Sequence, residues 1–413
     1  MTNNFHFKKF PINTATSCQS KWTWSTIWLN TAQTASCFRV DQINLTPENF
    51  NNFHNLPEKV SDREKMLQGL WPDNNRCNYC KEIENADGYS DRMNYNSIGG
   101  YTPKELAKDS QATVITPTIV EVSYANECNL ACIYCSARFS SKIEAENNRY
   151  IDKESKKNIY SPYKEELYQQ FLEWLKTNIK NLRRLNLLGG ETFIQHKFMN
   201  DIIEIISENP NPALQLNIIS NFNAPKKYFL KYINEIKKLY NSKKIARFDL
   251  MCSLDCWGVE QEYVRSGLKL ELLDEYLSYA AEQDEKWLYL NINSTITSMT
   301  IKTMPQLLKK IKQHSQNRKI HHSFEFVQGR PLQHPKIFNY SLWKEDFNTI
   351  INFMKENSVA STNRVERMEG LQKFLEVNCK QDDEKIAQLH AYLDELDRRR
   401  NTNWRPLFPY LIV

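Results

Sequence analysis

Three cysteines lie within one short segment of the 413-residue chain. Cys128, Cys132 and Cys135 are four and three residues apart, and an aromatic residue, Tyr134, precedes the last of them. Three thiolates are one fewer than a closed structural zinc site or an ordinary 4Fe-4S centre uses. A cluster held by three cysteines keeps one iron open, and an open iron can bind a molecule that reacts. The alternatives are three buried thiols in a core strand, or three of four zinc ligands.

Further groups that could bind a ligand follow the cysteines along the chain. Gly189 and Gly190 would let the backbone approach a ligand closely, and the carboxylate of Glu191 could accept hydrogen bonds from an ammonium group. Taken alone, these three residues could also form an ordinary turn.

Short polar side chains come next, and their hydroxyl, amide and carboxylate groups are suited to holding ribose hydroxyls. They are Ser220, Asn221, Ser253 and Asp255. Each of them could equally be a turn or helix-capping residue.

Alternating strands and helices are predicted to position these residues. β-Branched and apolar runs predict strands at 118–124, 185–188, 214–219, 247–254, 288–297 and 322–327. Helical periodicity predicts helices at 163–180, 198–208, 226–239, 270–282, 304–314 and 342–354. The cysteines follow the first strand, and the polar groups lie at or near the ends of the second, third and fourth. Six such units indicate a parallel sheet with crossover helices.

The cysteine spacing, C-x3-C-x-aromatic-C, followed one unit later by Gly-Gly-Glu, resembles the motifs of the radical S-adenosylmethionine (SAM) enzymes. The resemblance implies an α/β fold, a partial (β/α)6 TIM-like barrel with its chemistry at the C-terminal ends of the strands. It also implies a 4Fe-4S cluster on Cys128, Cys132 and Cys135 that binds SAM and generates a 5′-deoxyadenosyl radical for hydrogen-atom abstraction.

The same resemblance implies which residues bind SAM. Gly189, Gly190 and Glu191 match the motif that binds the amino group, and Arg265 matches an arginine that pairs with the carboxylate. The ribose candidates are Ser220, Asn221, Ser253 and Asp255, and the adenine candidates are Tyr134 and Ile296. A surface salt bridge is the alternative for Arg265, and a core position is the alternative for Tyr134 and Ile296.

No catalytic residue is identified from the sequence beyond two candidates, Asp255 and Cys256. Cys256 could reach the active cavity as a proton or hydrogen-atom donor. A buried inert thiol is the alternative.

A second set of cysteines lies in the N-terminal segment. Cys77 and Cys80 have the C-x2-C spacing of metal ligands, and Cys18 and Cys37 could complete a set of four. Together with residues 66–72, these cysteines resemble the Twitch half of SPASM-type auxiliary domains, which implies a second iron-sulfur cluster, a 4Fe-4S centre. The module precedes the barrel here, whereas it follows the barrel in better-known members. A structural zinc knuckle is the alternative.

The pattern along the chain sets the expected domain boundaries, and the composition sets the expected location and partners. Residues 1–100 are predicted to form an irregular auxiliary-cluster module, 101–357 the barrel, and 358–413 an extension with helices at 365–377 and 383–400. Ten cysteines, a mean hydropathy of -0.63 and no membrane-length apolar run or signal segment predict a cytoplasmic chain without a membrane partner. The net charge of +5 is mild, and the lysine-rich helices read as solvated exteriors, so a nucleic-acid partner is not expected.

The resemblance predicts an enzyme that modifies a ribosomally made peptide or protein, supplied with electrons by a flavodoxin- or ferredoxin-type reductant. The first alternative is a dehydrogenase or rearrangement enzyme acting on a small sugar or nucleotide. The second is a non-catalytic metal-binding scaffold.

Overall fold

The computed structural model describes residues 10–73, 76–85, 88–97, 101–150, 160–316, 318–357 and 362–412. The strands in these ranges are β1 (Trp24–Trp28), β2 (Gln33–Ala35), β3 (Ile43–Asn44), β4 (Ile119–Ser123), β5 (Ala131–Cys132), β6 (Arg184–Leu188), β7 (Gln215–Ser220), β8 (Arg247–Ser253), β9 (Arg265–Ser266), β10 (Leu288–Ile296) and β11 (His321–Phe326).

The helices in the same ranges begin with five N-terminal ones, α1 (Gln19–Thr23), α2 (Pro57–Leu67), α3 (Asn78–Asn85), α4 (Asp91–Ser97) and α5 (Lys104–Lys108). Ten more follow: α6 (Ser141–Tyr150), α7 (Lys164–Asn178), α8 (His196–Glu208), α9 (Lys226–Asn241), α10 (Val259–Val264), α11 (Leu270–Ala281), α12 (Met304–His314), α13 (Lys344–Asn357), α14 (Thr362–Asn378) and α15 (Asp383–Arg400).

The strands that follow residue 118 form the parallel sheet that the sequence predicts. Its order is β11-β10-β8-β7-β6-β4, and each neighbouring pair is parallel. The predicted strand and helix ends differ from the observed ones by a few residues at most, as is usual for element ends. The α/β class with a large, mostly parallel sheet is therefore confirmed, whereas closure into a partial barrel stays a prediction.

Amphipathic helices cover one face of this sheet. In α8 the buried residues Phe198, Met199, Ile202, Ile205 and Ile206 recur at helical spacing and form one apolar stripe. The buried side chains of the strands, such as Val120 and Val122 on β4, join the same core. The opposite face, which we call the inner face, carries the alternate strand residues, many of them polar and partly exposed.

The N-terminal segment is not the irregular module that the sequence predicts. β1 pairs in parallel with β4 and extends the main sheet, and β2 and β3 add antiparallel strands beyond it. In α2 the buried face holds Lys59, Asp62, Arg63 and Met66. Because this face is mostly charged, hydrophobic periodicity does not reveal the helix. The predicted boundary at residue 100 stays a prediction.

The two C-terminal helices occupy the predicted positions. α14 contacts β11 through Arg364, whose Nη2 donates to Ser323 Oγ at 3.2 Å, and through the ion pair of Arg367 with Glu325. Among the described residues, no helix has both the length and the apolar character needed to cross a membrane.

Candidate functional site

The cysteine loop, residues 124–140, begins at the C-terminal end of β4 and is tied to the chain that follows β8. β5 inside the loop pairs antiparallel with β9, so that Cys132 lies opposite Arg265. The amide of Ile133 donates to Val264 O at 2.9 Å, one residue beyond this ladder. The loop is therefore held by main-chain hydrogen bonds to a segment more than 130 residues away in sequence.

Side chains from the C-terminal third of the protein bind the carbonyl groups of the same loop. Arg330 donates from Nε to Tyr134 O at 3.0 Å and from Nη2 to Cys135 O at 2.5 Å. Gln333 Nε2 and the Tyr392 hydroxyl both donate to Ile133 O, at 2.9 and 2.5 Å. These contacts give a fixed conformation to the backbone that carries two of the three thiols.

Sequence reasoning missed these three anchoring residues. Arg330 lies four residues beyond the end of β11 and comes after Gly329. A basic residue just beyond a parallel strand is a signal that could have been used. Tyr392 lies on α15, 259 positions from the carbonyl that it binds, and nothing in its surroundings marks it.

The thiols of the loop are buried or half-buried and have donors beside them. Burial raises the pKa of Cys128 to about 11 and that of Cys132 to about 12. Asn221 Nδ2 lies 3.9 Å from Cys128 Sγ, and Arg265 Nη1 lies 4.0 Å from Cys132 Sγ. Metal binding requires thiolates, and nearby N–H groups and positive charge favour the thiolate form.

The two glycines after β6 are required by the approach of the cysteine loop. Both have positive φ, +96° at Gly189 and +53° at Gly190. A Cβ on Gly190 would lie 2.0 Å from Glu127 O, and a Cβ on Gly189 would lie 2.5 Å from Ser123 Oγ. This turn therefore packs against the backbone just before Cys128. Glu191 N binds the same backbone, because it donates a hydrogen bond to Glu127 O at 2.7 Å.

The carboxylate of Glu191 is fully buried and satisfies three donors of the protein. It accepts from Ser220 Oγ at 2.9 Å, from Asn221 N at 2.7 Å and from Phe193 N at 3.2 Å. Burial raises its pKa to about 7, against these hydrogen bonds, which favour the ionised form. Glu191 thus joins the end of β7 to the turn after β6, and its expected contact with an ammonium group stays a prediction.

Asp255 lies at the centre of a second buried network. Arg265 donates to it from Nε and Nη2, both at 2.9 Å, and the Tyr134 hydroxyl donates to it at 2.6 Å. The amide of Thr295 adds a fourth hydrogen bond at 2.8 Å. Arg265 is therefore not the surface salt bridge of the alternative interpretation. It holds a protein carboxylate and turns its remaining edge toward Cys132.

The other predicted residues fall into two groups. Ser220 and Asn221 join the cysteine loop, because Asn221 Nδ2 also donates to Asn129 Oδ1 at 2.9 Å. Ser253 lies on the inner face at the end of β8, whereas Ile296 belongs to the buried, alternate set of β10. Cys256 is completely buried and donates from Sγ to Gln261 Oε1 at 3.4 Å.

The four N-terminal cysteines are close enough to influence one another electrostatically. Burial, with contributions from the thiols of Cys77 and Cys80, raises the pKa of Cys18 to about 11. Burial likewise raises the pKa of Cys37, with a contribution from Cys18. Each of these thiols therefore lies within electrostatic range of at least one other, whereas their role as ligands of one metal centre stays a prediction.

Lys21 supplies positive charge beside these thiols. Its ammonium group is buried and pairs with Asp62 at 2.6 Å, and it lowers the pKa of Cys77 against the effect of burial. Asp62 also accepts from Arg76 Nε at 3.1 Å. Two cations thus share one carboxylate next to the N-terminal cysteines, an arrangement that suits an anionic thiolate set.

The donor chemistry of both cysteine sets fits an iron-sulfur cluster, because thiolates are the ligands that such clusters use. Within the described residues, no three His, Cys, Asp or Glu side chains converge tightly enough to enclose one metal ion. The ligands of a cluster bind separate irons, so a cluster does not require its thiols to meet at one point. The assignment of both metal sites stays a prediction.

Comparisons with known proteins give little beyond this geometry. No protein family model matches the chain. No curated protein matches it in sequence.

Among solved structures, SuiB of Streptococcus suis is similar with a TM-score of 0.38 and 17% identity, over 76% of this chain and 64% of SuiB. The chain thus spans less than two thirds of that protein's length. SuiB bound to S-adenosylmethionine gives a TM-score of 0.38 and 14% identity, over 81% of this chain and 70% of SuiB. A likeness this low does not establish a shared fold.

Proposed function

We propose that the protein is a radical SAM enzyme that modifies a ribosomally made peptide or protein. The observation that carries the proposal is a set of contacts between motif residues distant in sequence. Asn221 lies beside Cys128, Arg265 lies beside Cys132, and Glu191 N binds the carbonyl that precedes Cys128. Residues chosen from the sequence for one cofactor thus surround the same short loop, as a common site requires.

In this proposal Cys128, Cys132 and Cys135 hold a 4Fe-4S cluster that, when SAM is bound, supplies the electron for forming a 5′-deoxyadenosyl radical. The chain's own residues position and shield that centre. Arg330, Gln333 and Tyr392 fix the loop backbone, and Asn221 and Arg265 direct N–H groups at its sulfurs. Buried apolar residues of the loop, Leu130 and Ile133, exclude water from behind it.

The peptide substrate rests on the resemblance of the N-terminal cysteines to an auxiliary-cluster module. A second cluster suits an oxidative modification, because it can accept the electron that remains after a bond has formed. We propose Cys18, Cys37, Cys77 and Cys80 as its ligands, and a flavodoxin- or ferredoxin-type protein as the electron donor.

A small sugar or nucleotide is the second candidate substrate, and one observation favours it. α14 contacts β11, the outer strand of the parallel sheet, through Arg364 and Arg367. A peptide added as a further strand at this edge would compete with those side chains. The polar groups of the inner face offer a small molecule direct hydrogen bonds instead.

The experiment that tests the proposal is anaerobic reconstitution of the full chain with iron and sulfide, followed by a dithionite-driven assay for 5′-deoxyadenosine. The wild-type protein is expected to form 5′-deoxyadenosine, and the variant with Cys128, Cys132 and Cys135 all replaced by Ala is expected to form none. Cys379→Ala removes a thiol of neither set and should keep the activity. A protein with full iron occupancy and no product would be a non-catalytic scaffold, contrary to the proposal.

Iron quantitation tests the second centre separately. About eight irons per chain would support two 4Fe-4S clusters, whereas about four would reject the auxiliary one. The double replacement of Cys77 and Cys80 by Ala should remove only the second centre. If this variant loses both centres, the two cysteines would instead have a structural role that both centres share.

A further inference from the structure

The side chains on the inner face of the sheet form layers, each made of residues at the same register position on neighbouring strands. The layers differ in polarity. In the lower layer, the strand register places Glu121, Asn186, Asn217, Asp249 and Tyr289 side by side. In the next layer toward the strand ends, Ile219 and Met251 are paired neighbours, and both are half-buried and apolar. An apolar floor formed by Ile219 and Met251 therefore lies between the two polar layers at β7 and β8, whereas Asn291 and His321 continue the polar surface at β10 and β11.

The layer above this floor is polar and lies next to the proposed active site. Ser253 pairs with Asn293, and Asn293 pairs with Ser323, so that three hydrogen-bonding side chains from β8, β10 and β11 form one row. All three are partly exposed. Ser253 comes two residues before Asp255, whose carboxylate binds the amide of Thr295 on β10. The row thus lies just below the Asp255 network.

The acidic groups of the inner face are already satisfied within the protein. Asp249 pairs with Arg184 at 3.0 Å and with Arg247 at 2.6 Å. Glu121 accepts from Thr26 at 3.1 Å and from Asn186 at 3.3 Å.

Glu325, at the other end of the sheet, forms an ion pair with Arg367 of α14. Among the described residues, these carboxylates are each held by a cation or by polar donors of the chain.

Arg364, one turn before Arg367 on α14, has no such partner among the residues that the structure describes. Its Nη2 donates to the neutral Ser323 Oγ at 3.2 Å, and within the described part of the chain no carboxylate pairs with its guanidinium. Burial lowers the pKa of Arg364, so its charge is partly removed from water. A desolvated guanidinium with unused donors is a strong site for a planar or tetrahedral anion.

We infer that Arg364, together with Ser323 and Asn293, binds an anionic group of the substrate, a carboxylate or a phosphate. This inference rests on the proposed function for its meaning, since it names the substrate's chemistry at that same site. The anion would lie at the β11 side of the polar row, and the remainder of the substrate would extend along the row toward Ser253 and the cysteine loop. A substrate without a negative group would leave the guanidinium unpaired and bind more weakly.

The test uses anaerobically purified full-length protein and inorganic phosphate or acetate as the probe. The melting temperature, Tm, is measured against increasing anion at constant ionic strength, with chloride as the reference. One of the two anions is expected to raise the wild-type Tm by about 2 °C more than chloride, as binding to the folded state requires. The anion that gives the larger shift identifies the preferred group.

Three variants decide whether Arg364 is responsible. Arg364→Gln should lose the anion-specific shift, and Arg364→Lys should keep part of it, because the charge remains but the two-pronged geometry does not. Lys373→Gln removes one positive charge from the exposed side of the same helix and should keep the whole shift. A wild type without a specific shift, or an Arg364→Gln protein that retains it, overturns the inference.

The outcome for the proposed function is read separately, from 5′-deoxyadenosine formation by the wild type. A protein that binds the anion through Arg364 but forms no 5′-deoxyadenosine retains this inference and loses the proposed function. A protein that forms 5′-deoxyadenosine without an anion-specific shift loses this inference alone.

Discussion

Arg265 binds the carboxylate of Asp255 in a bidentate ion pair, donating from Nε to Oδ2 and from Nη2 to Oδ1, each at 2.9 Å. The Asp255 side chain is completely buried and that of Arg265 is 8% exposed. The same guanidinium points its third nitrogen at Cys132. The ion pair therefore connects the end of β8 to the cysteine loop, and its loss should affect both the stability of the protein and the environment of that thiol.

Replacing Asp255 with Asn should destabilise the protein strongly. The substitution leaves the Arg265 charge buried without a counterion, which costs about 3–5 kcal/mol of the free energy of unfolding. Urea unfolding followed by circular dichroism measures the change. The matched control is Glu275→Gln, which breaks the exposed pair with Lys226 and should cost less than about 1 kcal/mol. Equal losses of unfolding free energy in the two variants would show that the buried ion pair stabilises the protein no more than the exposed one.

Replacing Arg330 with Gln should weaken iron binding by the cysteine loop more than it weakens the fold. The change removes the hydrogen bonds to Tyr134 O and Cys135 O that orient the third thiol. Outer-shell changes of this kind typically cost about 10–100-fold in metal affinity. Iron retained per chain after a chelator challenge measures the effect, and Arg398→Gln, on the exposed side of α15, is the control. Unchanged iron retention in Arg330→Gln would remove Arg330 from the site.

Replacing Gly190 with Ala should be strongly destabilising because a Cβ would lie 2.0 Å from Glu127 O and the residue has a φ of +53°. We expect a loss of about 2 kcal/mol or more in the free energy of unfolding. Gly370→Ala provides the control, since Gly370 lies in α14 with no atom within 4 Å of the added Cβ. That change should raise stability by up to about 1 kcal/mol. Similar effects at both positions would contradict the close packing of the turn against the loop.

The pH dependence of stability should carry the contribution of Glu191. Its pKa rises from the usual 4.5 to about 7 in the folded protein, chiefly because the group is buried. The folded state therefore holds the proton more tightly than the unfolded state does. The resulting stabilisation is fully present below pH 4.5 and is lost as the pH rises through 7, by about 3 kcal/mol in all.

Glu191→Gln lacks this titration, so the difference in free energy of unfolding between wild type and variant should shift by that amount across the interval. Urea unfolding at pH values below and above it provides the measurement. Parallel pH profiles for the two proteins would mean that Glu191 keeps an ordinary pKa.

The sequence by itself determined the α/β class, the order of the parallel strands along the chain, and the placement of the candidate residues at their ends. These features depend on local signals: apolar periodicity, β-branched runs, and cysteines or glycines at short spacings. The helices α14 and α15 were also predictable, because they are 17 and 18 residues long and rich in helix-forming Glu, Leu and Arg. The N-terminal elements were not predictable, because α2 buries charged residues and β1 joins the parallel sheet by pairing with β4, about 90 residues away in sequence.

Tertiary structure alone decided which side chains hold the cysteine loop and which are already used by the protein. Arg330, Gln333 and Tyr392 reach the loop carbonyls from about 200 or more residues away, and no local pattern encodes such a contact. Arg265 and Glu191 were identified from the sequence as ligand-binding groups, yet their hydrogen-bond partners in the folded chain are Asp255, Ser220 and Asn221. A motif specifies the chemical group, whereas the neighbours that satisfy or expose that group are set only when distant segments pack together.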